Sequence, residues 1–336
     1  MERIPQTPPQ IAPITDGLHR PLWSVMIPAY NCSQYLAEAI QSVLQQDMGT
    51  YLMQIEVIDD CSTDANIEDL VKKIGKGRVD YYKQKTNVGS LRNFETCINR
   101  SRGAYIHLLH GDDRVKQGYY ESVTQIFKKF PQAGAASCAW EYINSEGAFT
   151  HRSRLEAGYP CLLENWLFKL AERPRLQYVA MTVKREVYEK LGSFYLVHYG
   201  EDWEMWARIA KEYETAYIPE FLAEYREHKN SITWHSYQTG QNVKDIAKVT
   251  SAIMNYLPQK DRRRMHRKAK KNFAHWLLED TYGPWFSHRN NKIAYNQIKT
   301  ILGIHIDRHI ISRISRLLLH MWTDPYRSIF KKKVPK

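Results

Sequence analysis

The sequence predicts an α/β protein built on a mainly parallel, doubly wound sheet, followed by a basic, mostly helical extension. Three observations carry this. Short apolar runs alternate with helix-period segments as β-α-β-α-β-α-β through the first third of the chain. Three of the four runs pass directly into polar loops, where open parallel sheets place their ligands. Finally, the charge is divided: residues 234–336 hold 21 Lys and Arg against 6 Asp and Glu, while residues 1–233 hold 27 against 30.

The chain opens with Pro5, Pro8, Pro9, Pro13 and Pro21, a polar lead over residues 1–21 expected to be extended and flexible. It has no apolar stretch of the kind a secretory signal needs. WSVMI (23–27) is the first strand and breaks at Pro28-Ala29-Tyr30-Asn31, a turn-forming sequence. Tyr35, Leu36, Ala39, Ile40, Val43 and Leu44 then recur at helical spacing. MQIEVI (53–58) alternates as a strand and ends on Asp59-Asp60-Cys61-Ser62-Thr63-Asp64. A helix through Leu70 and Ile74, a strand at 79–82, and a loop with Asn87 and Gly89 lead to Arg92 and a third helix.

The fourth strand lies in AYIHLLHGDD (104–113). Adjacent carboxylates at a strand end repel one another. Asp112 and Asp113 make sense there around a divalent cation, or more plainly as a cap for the helix predicted over 116–130. Beyond it, the pattern predicts a strand at 133–139, loop over 141–160, a helix at 162–172, a strand at 178–183 and a helix at 185–191. Gly200-Glu201-Asp202 opens another helix, WEMWARIA, with its acids where the helix dipole favours them. Residues 216–218 lead through Pro219 into 221–225. Helical patterns at 240–256, 261–279 and 307–322 follow, broken at Pro258 and Gly283-Pro284.

Composition narrows the function. Apolar content of 43% and charge of 25% are those of a globular protein. No run of 18 apolar residues predicts a transmembrane helix. Five cysteines without a CxxC pair suggest neither a disulfide framework nor a zinc site, and a reducing cytoplasm fits. No GxGxxG follows the first strand and no GxxxxGK[ST] occurs, which argues against a dinucleotide-binding dehydrogenase and a P-loop enzyme.

Taken together and in order, IPAYN (27–31), VIDDCSTD (57–64), NVGSLRN (87–93), LLHGDD (108–113), GEDWEMWARIA (200–210) and YREHKNSIT (225–233) resemble the motifs of the family 2 glycosyltransferases. The resemblance covers about residues 22–233. It implies a GT-A fold, Rossmann-like, with a nucleotide-sugar half over 22–115 and an acceptor half over 116–233. It also implies an inverting transfer from a nucleotide diphosphate sugar, UDP-linked by preference, with Mn2+ or Mg2+ as cofactor.

By the same resemblance, Asp113 is a direct metal ligand and Asp112 reaches the ribose or a metal-bound water. His228 approaches the diphosphate or metal. Pro28, Tyr30 and Asp60 form the nucleotide pocket, and Arg92 and Arg226 are candidates for contact with base or phosphate. Asp202 is the general base, and Glu201 orients it or the acceptor. Trp203 stacks on an acceptor sugar, whereas Trp206 reads as core. The family often has Asp-x-Asp-Asp where this chain has His110-Gly-Asp-Asp, one carboxylate fewer.

The expected acceptor is a glycan or lipid-linked saccharide. Residues 234–336 are expected to form a helical region meeting an anionic membrane surface, with Trp276, Trp285, Phe286 and Trp322 at headgroup level. A solvated appendage or a homo-oligomer interface is the plainer reading. The location implied is cytoplasmic, peripheral on the inner face of the membrane. Nucleic acid is not an expected partner, since no recognised motif supports it. Two other functions compete: a nucleotidyltransferase, which would want a basic, glycine-rich first loop instead of PAYN, and a non-catalytic membrane- or polyanion-binding module on the same scaffold.

Overall fold

The computed structural model describes residues 2–288 and 291–331, except the side chains of residues 280, 283, 284, 286–288, 293 and 324–331. The first half alternates as read: β1 (Trp23–Ala29), α1 (Ser33–Leu44), β2 (Met53–Asp59), α2 (Ile67–Gly75), β3 (Asp80–Lys83), α3 (Ser90–Arg100) and β4 (Tyr105–Leu108). β1 pairs in parallel with β2 and β4, and β2 pairs in parallel with β3. The spatial order 3-2-1-4 reverses direction at β1, so the loops after β1 and β4 flank the switch point where such sheets bind ligands.

The second half comprises β5 (Arg114–Val115), α4 (Tyr119–Lys129), β6 (Ala133–Ile143), β7 (Phe149–Arg152), β8 (Cys161–Leu162), α5 (Trp166–Glu172), β9 (Met181–Lys184), α6 (Arg185–Leu191), α7 (Glu201–Glu212) and β10 (Glu214–Arg226). β9 runs antiparallel between β4 and β6, and β6 pairs in parallel with β10. β5 closes antiparallel on the end of β10. A parallel sheet at the nucleotide end thus continues into a mixed one.

Several boundaries differ from the sequence reading. Residues 141–160 are not all loop, because β6 continues to Ile143 and turns into β7, whose exposed residues leave no apolar alternation. Residues 178–183 are a 3-10 turn at Tyr178–Ala180 followed by β9. β10 is one strand through Pro219, which falls within a register shift between Ile218 and Phe221, where its missing N–H is not needed. The helix predicted at 162–172 starts only at Trp166.

Five helices follow: α8 (Ile232–Thr239), α9 (Gln241–Tyr256), α10 (Gln259–His288), α11 (Asn291–Ile304) and α12 (Arg308–Lys331). α10 continues through Gly283-Pro284. Leu277, Leu278 and Trp285 on this helix are buried in a shared core with α11 and α12, which outweighs one lost backbone bond. The main core extends from Ile11 to Ala269, taking in Ile246, Val249 and Ile253 of α9. A second core begins at Ala274. Packing therefore changes within α10, whereas composition changes near residue 234. No helix among the described residues is long and apolar enough to cross a membrane.

The proline-rich lead is a strap along the domain. Pro5 and Pro9 carbonyls accept from the Leu196 and Ser193 amides at 2.9 and 2.8 Å, and Ile11 is buried. The Ala12 carbonyl accepts from Arg185 at 3.0 Å, and Asp16 pairs with both Nη atoms of Arg102. Gly192 makes this possible. Its φ is +79°, and a Cβ there would lie 2.7 Å from the Pro9 oxygen and 2.9 Å from Pro8 Cβ. Gly192→Ala is expected to destabilise the protein by about 1–3 kcal/mol and to expose residues 2–12 to protease. Urea unfolding and limited proteolysis measure the two effects.

Candidate active site

Four strand-end loops build the site, and they are latched together before any ligand is considered. The Asn31 amide donates to Ser62 Oγ at 3.0 Å, and Asn31 Oδ1 accepts from the Thr63 amide at 2.8 Å. Asp64 accepts from the Ser33 amide at 2.9 Å, covering the start of α1. Asp59 is spent internally, on the Ser62 amide and the Tyr81 hydroxyl, both at 2.8 Å. Gly111 lets the turn after β4 approach this unit: a Cβ there would lie 2.7 Å from Cys32 Sγ.

In that turn His110, Asp112 and Asp113 have potential ligand atoms all within 4.8 Å of one another. Asp113 is 2% exposed, and its Oδ1 accepts from the Arg226 amide at 2.8 Å. Burial, then the charge of Asp112, push its carboxyl well above the usual range against that hydrogen bond. Burial also disfavours charge on Asp112, but the hydrogen bond from His228 Nε2 at 2.9 Å and the nearby imidazoles outweigh it and hold Asp112 below the usual range. His110 Nε2 is buried without a hydrogen-bond partner among the described residues, and burial lowers its basicity. Two carboxylates, Asp113 buried and Asp112 partly exposed, with an imidazole of lowered basicity suit Mn2+ or Mg2+. His110 therefore stands in the cluster, while His228 is committed to Asp112.

Arg226 does not point out toward a phosphate. It is buried, and its guanidinium donates to the Asp112 carbonyl at 2.8 Å, to Glu38 at 2.7 Å and to the carbonyls of Asn144 and Ser145 at 3.2 Å.

Asp202 and Glu201 open α7 and line the same cleft as His110, Asp112 and His228. Asp202 Oδ1 accepts from the Trp203 amide at 2.7 Å. Burial pushes its carboxyl up to about 6. Burial and the charge of Asp202 push Glu201 well above its usual range, and Glu201 accepts from the Tyr178 hydroxyl at 3.2 Å. Tyr178, which the sequence reading missed, also packs on the His110 ring at 4.4 Å and so bridges the two acidic sites. A tyrosine heading an apolar run gives no sequence signal beyond core packing. Trp203 does not offer a stacking face: it is buried and donates its indole N–H to the Leu170 carbonyl at 2.7 Å. Trp206 is core, as read.

At the loop after β1, Tyr30 is half exposed and the Pro28 carbonyl accepts from the Gly111 amide at 3.2 Å. Asp60 accepts from the amides of Val88 and Gly89 at 2.7 and 2.9 Å and from Asn87 Nδ2 at 3.1 Å. Burial raises its pKa against those amide bonds. Arg92 is committed to the Glu2 carbonyl at 2.8 Å and to Glu95 at 2.7 Å. Arg3, on the strap, donates to Asn87. In the C-terminal region Trp285 is buried and Trp276 half-buried, while Trp322 is 67% exposed. Phe286 and the 331–333 lysines lie outside the described side chains.

Solved structures share this architecture. S. aureus TarS 1–349 in complex with UDP-GlcNAc has a TM-score of 0.63 at 12% identity, over 87% of this chain and 83% of that one. The mannosyltransferase PcManGT from Pyrobaculum calidifontis, in complex with GDP-Man and Mn2+, has a TM-score of 0.57 at 18% identity, over 96% and 86%. The fold is therefore that of the GT-A glycosyltransferases. In sequence, an uncharacterized glycosyltransferase of Haemophilus influenzae is 27% identical over 232 residues, 66% of this chain and 70% of that protein. The model of glycosyl transferase family 2 matches residues 24–192, half of the chain, and the protein belongs to that family.

Asp113→Asn is expected to raise the melting temperature of the metal-free protein by a few degrees, because it relieves the repulsion between buried Asp113 and adjacent Asp112 while keeping an acceptor for the Arg226 amide. The same change should abolish any further rise on adding Mn2+. A thermal shift with and without chelator measures both.

Proposed function

We propose that the protein is an inverting glycosyltransferase that moves a sugar from a nucleotide diphosphate sugar, UDP-linked by preference, to a glycan or lipid-linked acceptor, with Mn2+ or Mg2+ as cofactor. One observation carries the reading: His110 and Asp112, clustered with the buried Asp113, line a single cleft with Asp202, a carboxylate raised to about 6. The TarS and PcManGT complexes, with UDP-GlcNAc and with GDP-Man and Mn2+, support a nucleotide-sugar donor.

In the proposed reaction the acceptor hydroxyl attacks the anomeric carbon from the face opposite the nucleoside diphosphate. The new C–O bond forms as the bond to the diphosphate oxygen breaks, and the hydroxyl proton passes to Asp202. A single carboxylate suffices for inversion, with no covalent intermediate. Glu201, whose side chain accepts from the Tyr178 hydroxyl, orients Asp202 or the acceptor. Asp112, Asp113 and His110 would hold the cation, which when bound offsets charge on the departing diphosphate. His228 fixes Asp112, and Arg226 fixes the backbone and side chain of the Asp112–Asp113 pair. Tyr30 offers its open ring to the base, beside Pro28 and Asp60.

A membrane surface is the proposed setting. On α12, Ile311, Leu319 and Trp322 are exposed at helical spacing beside Arg308, Arg313 and Arg316. An apolar face with basic flanks supports contact of residues 234–336 with an anionic inner leaflet, each cation near the lipid adding about 1 kcal/mol. The double change Leu319→Ala, Trp322→Ala is expected to lower co-sedimentation with phosphatidylserine vesicles severalfold and leave donor turnover in solution intact. Concentration-dependent self-association lost in the same variant would assign the face to a second copy instead.

Asp202→Asn is expected to lower kcat by about 10²–10⁴-fold with little change in nucleotide-sugar affinity. In the wild type the base must be ionised, so kcat should fall tenfold per pH unit below about 6, the value to which burial brings Asp202. Turnover of a nucleotide-sugar panel across pH tests both, and a wild-type rate flat from pH 5 to 8 sinks the assignment.

A further inference from the structure

We propose that the acceptor is an anionic chain, bearing phosphate or carboxylate groups, which Arg154 and Arg173 receive in the cleft beside Asp202. The inference rests on the reading of this cleft as the transfer site.

The cleft has a volume of about 1390 Å³, more than one small ligand commonly needs, so a second substrate has room. One stretch of its wall is strongly basic. It is formed where the chain leaves β7, at Arg152 and Arg154, and where it leaves α5, at Arg173 and Arg175. The second segment leads directly into Tyr178, which binds Glu201.

The four arginines fall into two kinds. Arg152 is neutralised by Glu141 at 2.9 Å. Arg175 is neutralised by Glu156 at 3.0 Å and Glu172 at 3.7 Å. Arg154 and Arg173 have neither a hydrogen bond nor an ion pair among the described residues. Neighbouring acids do not make up the difference, because Glu156 and Glu172 are committed to Arg175 and Lys268. Arg154 and Arg173 are both exposed to the cleft's solvent, and partial desolvation first, then the like charges of Arg175 and Arg154, depress the pKa of Arg173. A cation held against cations stabilises nothing in the folded chain by itself. An anion between the two guanidinium groups would relieve the repulsion and meet planar donors built for bidentate contact with carboxylate or phosphate. A surface of one sign inside a cleft also concentrates oppositely charged substrate.

The test uses the full-length protein with Mn2+ and UDP. It measures binding of three oligomers of matched length: glycerol phosphate for phosphodiesters, galacturonate for carboxylates, and maltose units as the neutral control. At least one anionic oligomer is expected to bind, more weakly as salt rises, with the neutral one at least tenfold weaker. Arg154→Gln with Arg173→Gln should weaken the anionic oligomer about tenfold or more, and the double Lys variant should recover part of that loss. The thermal shift produced by UDP and Mn2+ should stay unchanged in both variants. Equal binding of the neutral oligomer, no binding of either anion, or an unaltered Kd in the Gln variant overturns the proposal. So does a matching loss of the UDP–Mn2+ shift, which would return the arginines to the donor. If wild type shows no UDP–Mn2+ shift, the donor reading fails instead, and the oligomer comparison still decides the anion claim.

Discussion

The structure depends on one buried guanidinium. Arg226 ends β10 and reaches three other segments: the turn after β4 through the Asp112 carbonyl, α1 through Glu38, and the β6–β7 turn through two carbonyls, while its own amide fixes Asp113. A buried charge is tolerable only when its donors are satisfied and a counter-charge lies close, and Glu38 supplies that charge. A planar fork can serve acceptors in several directions from one position, which an ammonium on a flexible stem cannot do as well. The acidic turn that would otherwise spring apart is thereby pinned from the far end of the sheet.

The helix that opens with Glu201 and Asp202 is clamped in a comparable way. Behind Asp202, Glu204 is wholly buried between Arg208 of its own helix and Tyr256 of α9. Asp245 of α9 accepts from the Tyr199 amide just ahead of Gly200. The basic third of the chain thus starts by bracing the helix that carries Asp202, and its own separate core begins only after Phe273.

Much of this was legible in the sequence because it leaves a local mark. Asp60, Asp112 and Asp202 each follow an apolar run or open an amphipathic helix, so polarity placed next to burial pointed to them. What the sequence hid is what depends on distant partners. Nothing local distinguishes His110, in the cluster, from His228, spent on Asp112, since both are histidines beside acids. Arg92 and Arg226 read as candidates for phosphate contact; Arg226 spends most of its donors on backbone carbonyls remote in sequence, and Arg92 divides its own between the Glu2 carbonyl and Glu95. Backbone acceptors carry no residue-type pattern. The run through Pro219 and the helix through Gly283-Pro284 were misread for the related reason that tertiary packing overrode a local breaker.

The strap also sets an order of events. Pro5, Pro9 and Ala12 are bonded to Leu196, Ser193 and Arg185, so these residues wait for partners synthesised some 180 positions later. At about 5–20 residues per second on a ribosome, that is an interval of roughly 10–40 s. During it the loop bearing Asn87 and Arg92 is already made, but the segment that will hold Arg3 and Glu2 over it cannot yet be anchored. Residues 5–12 are therefore among the last of these segments to find their place.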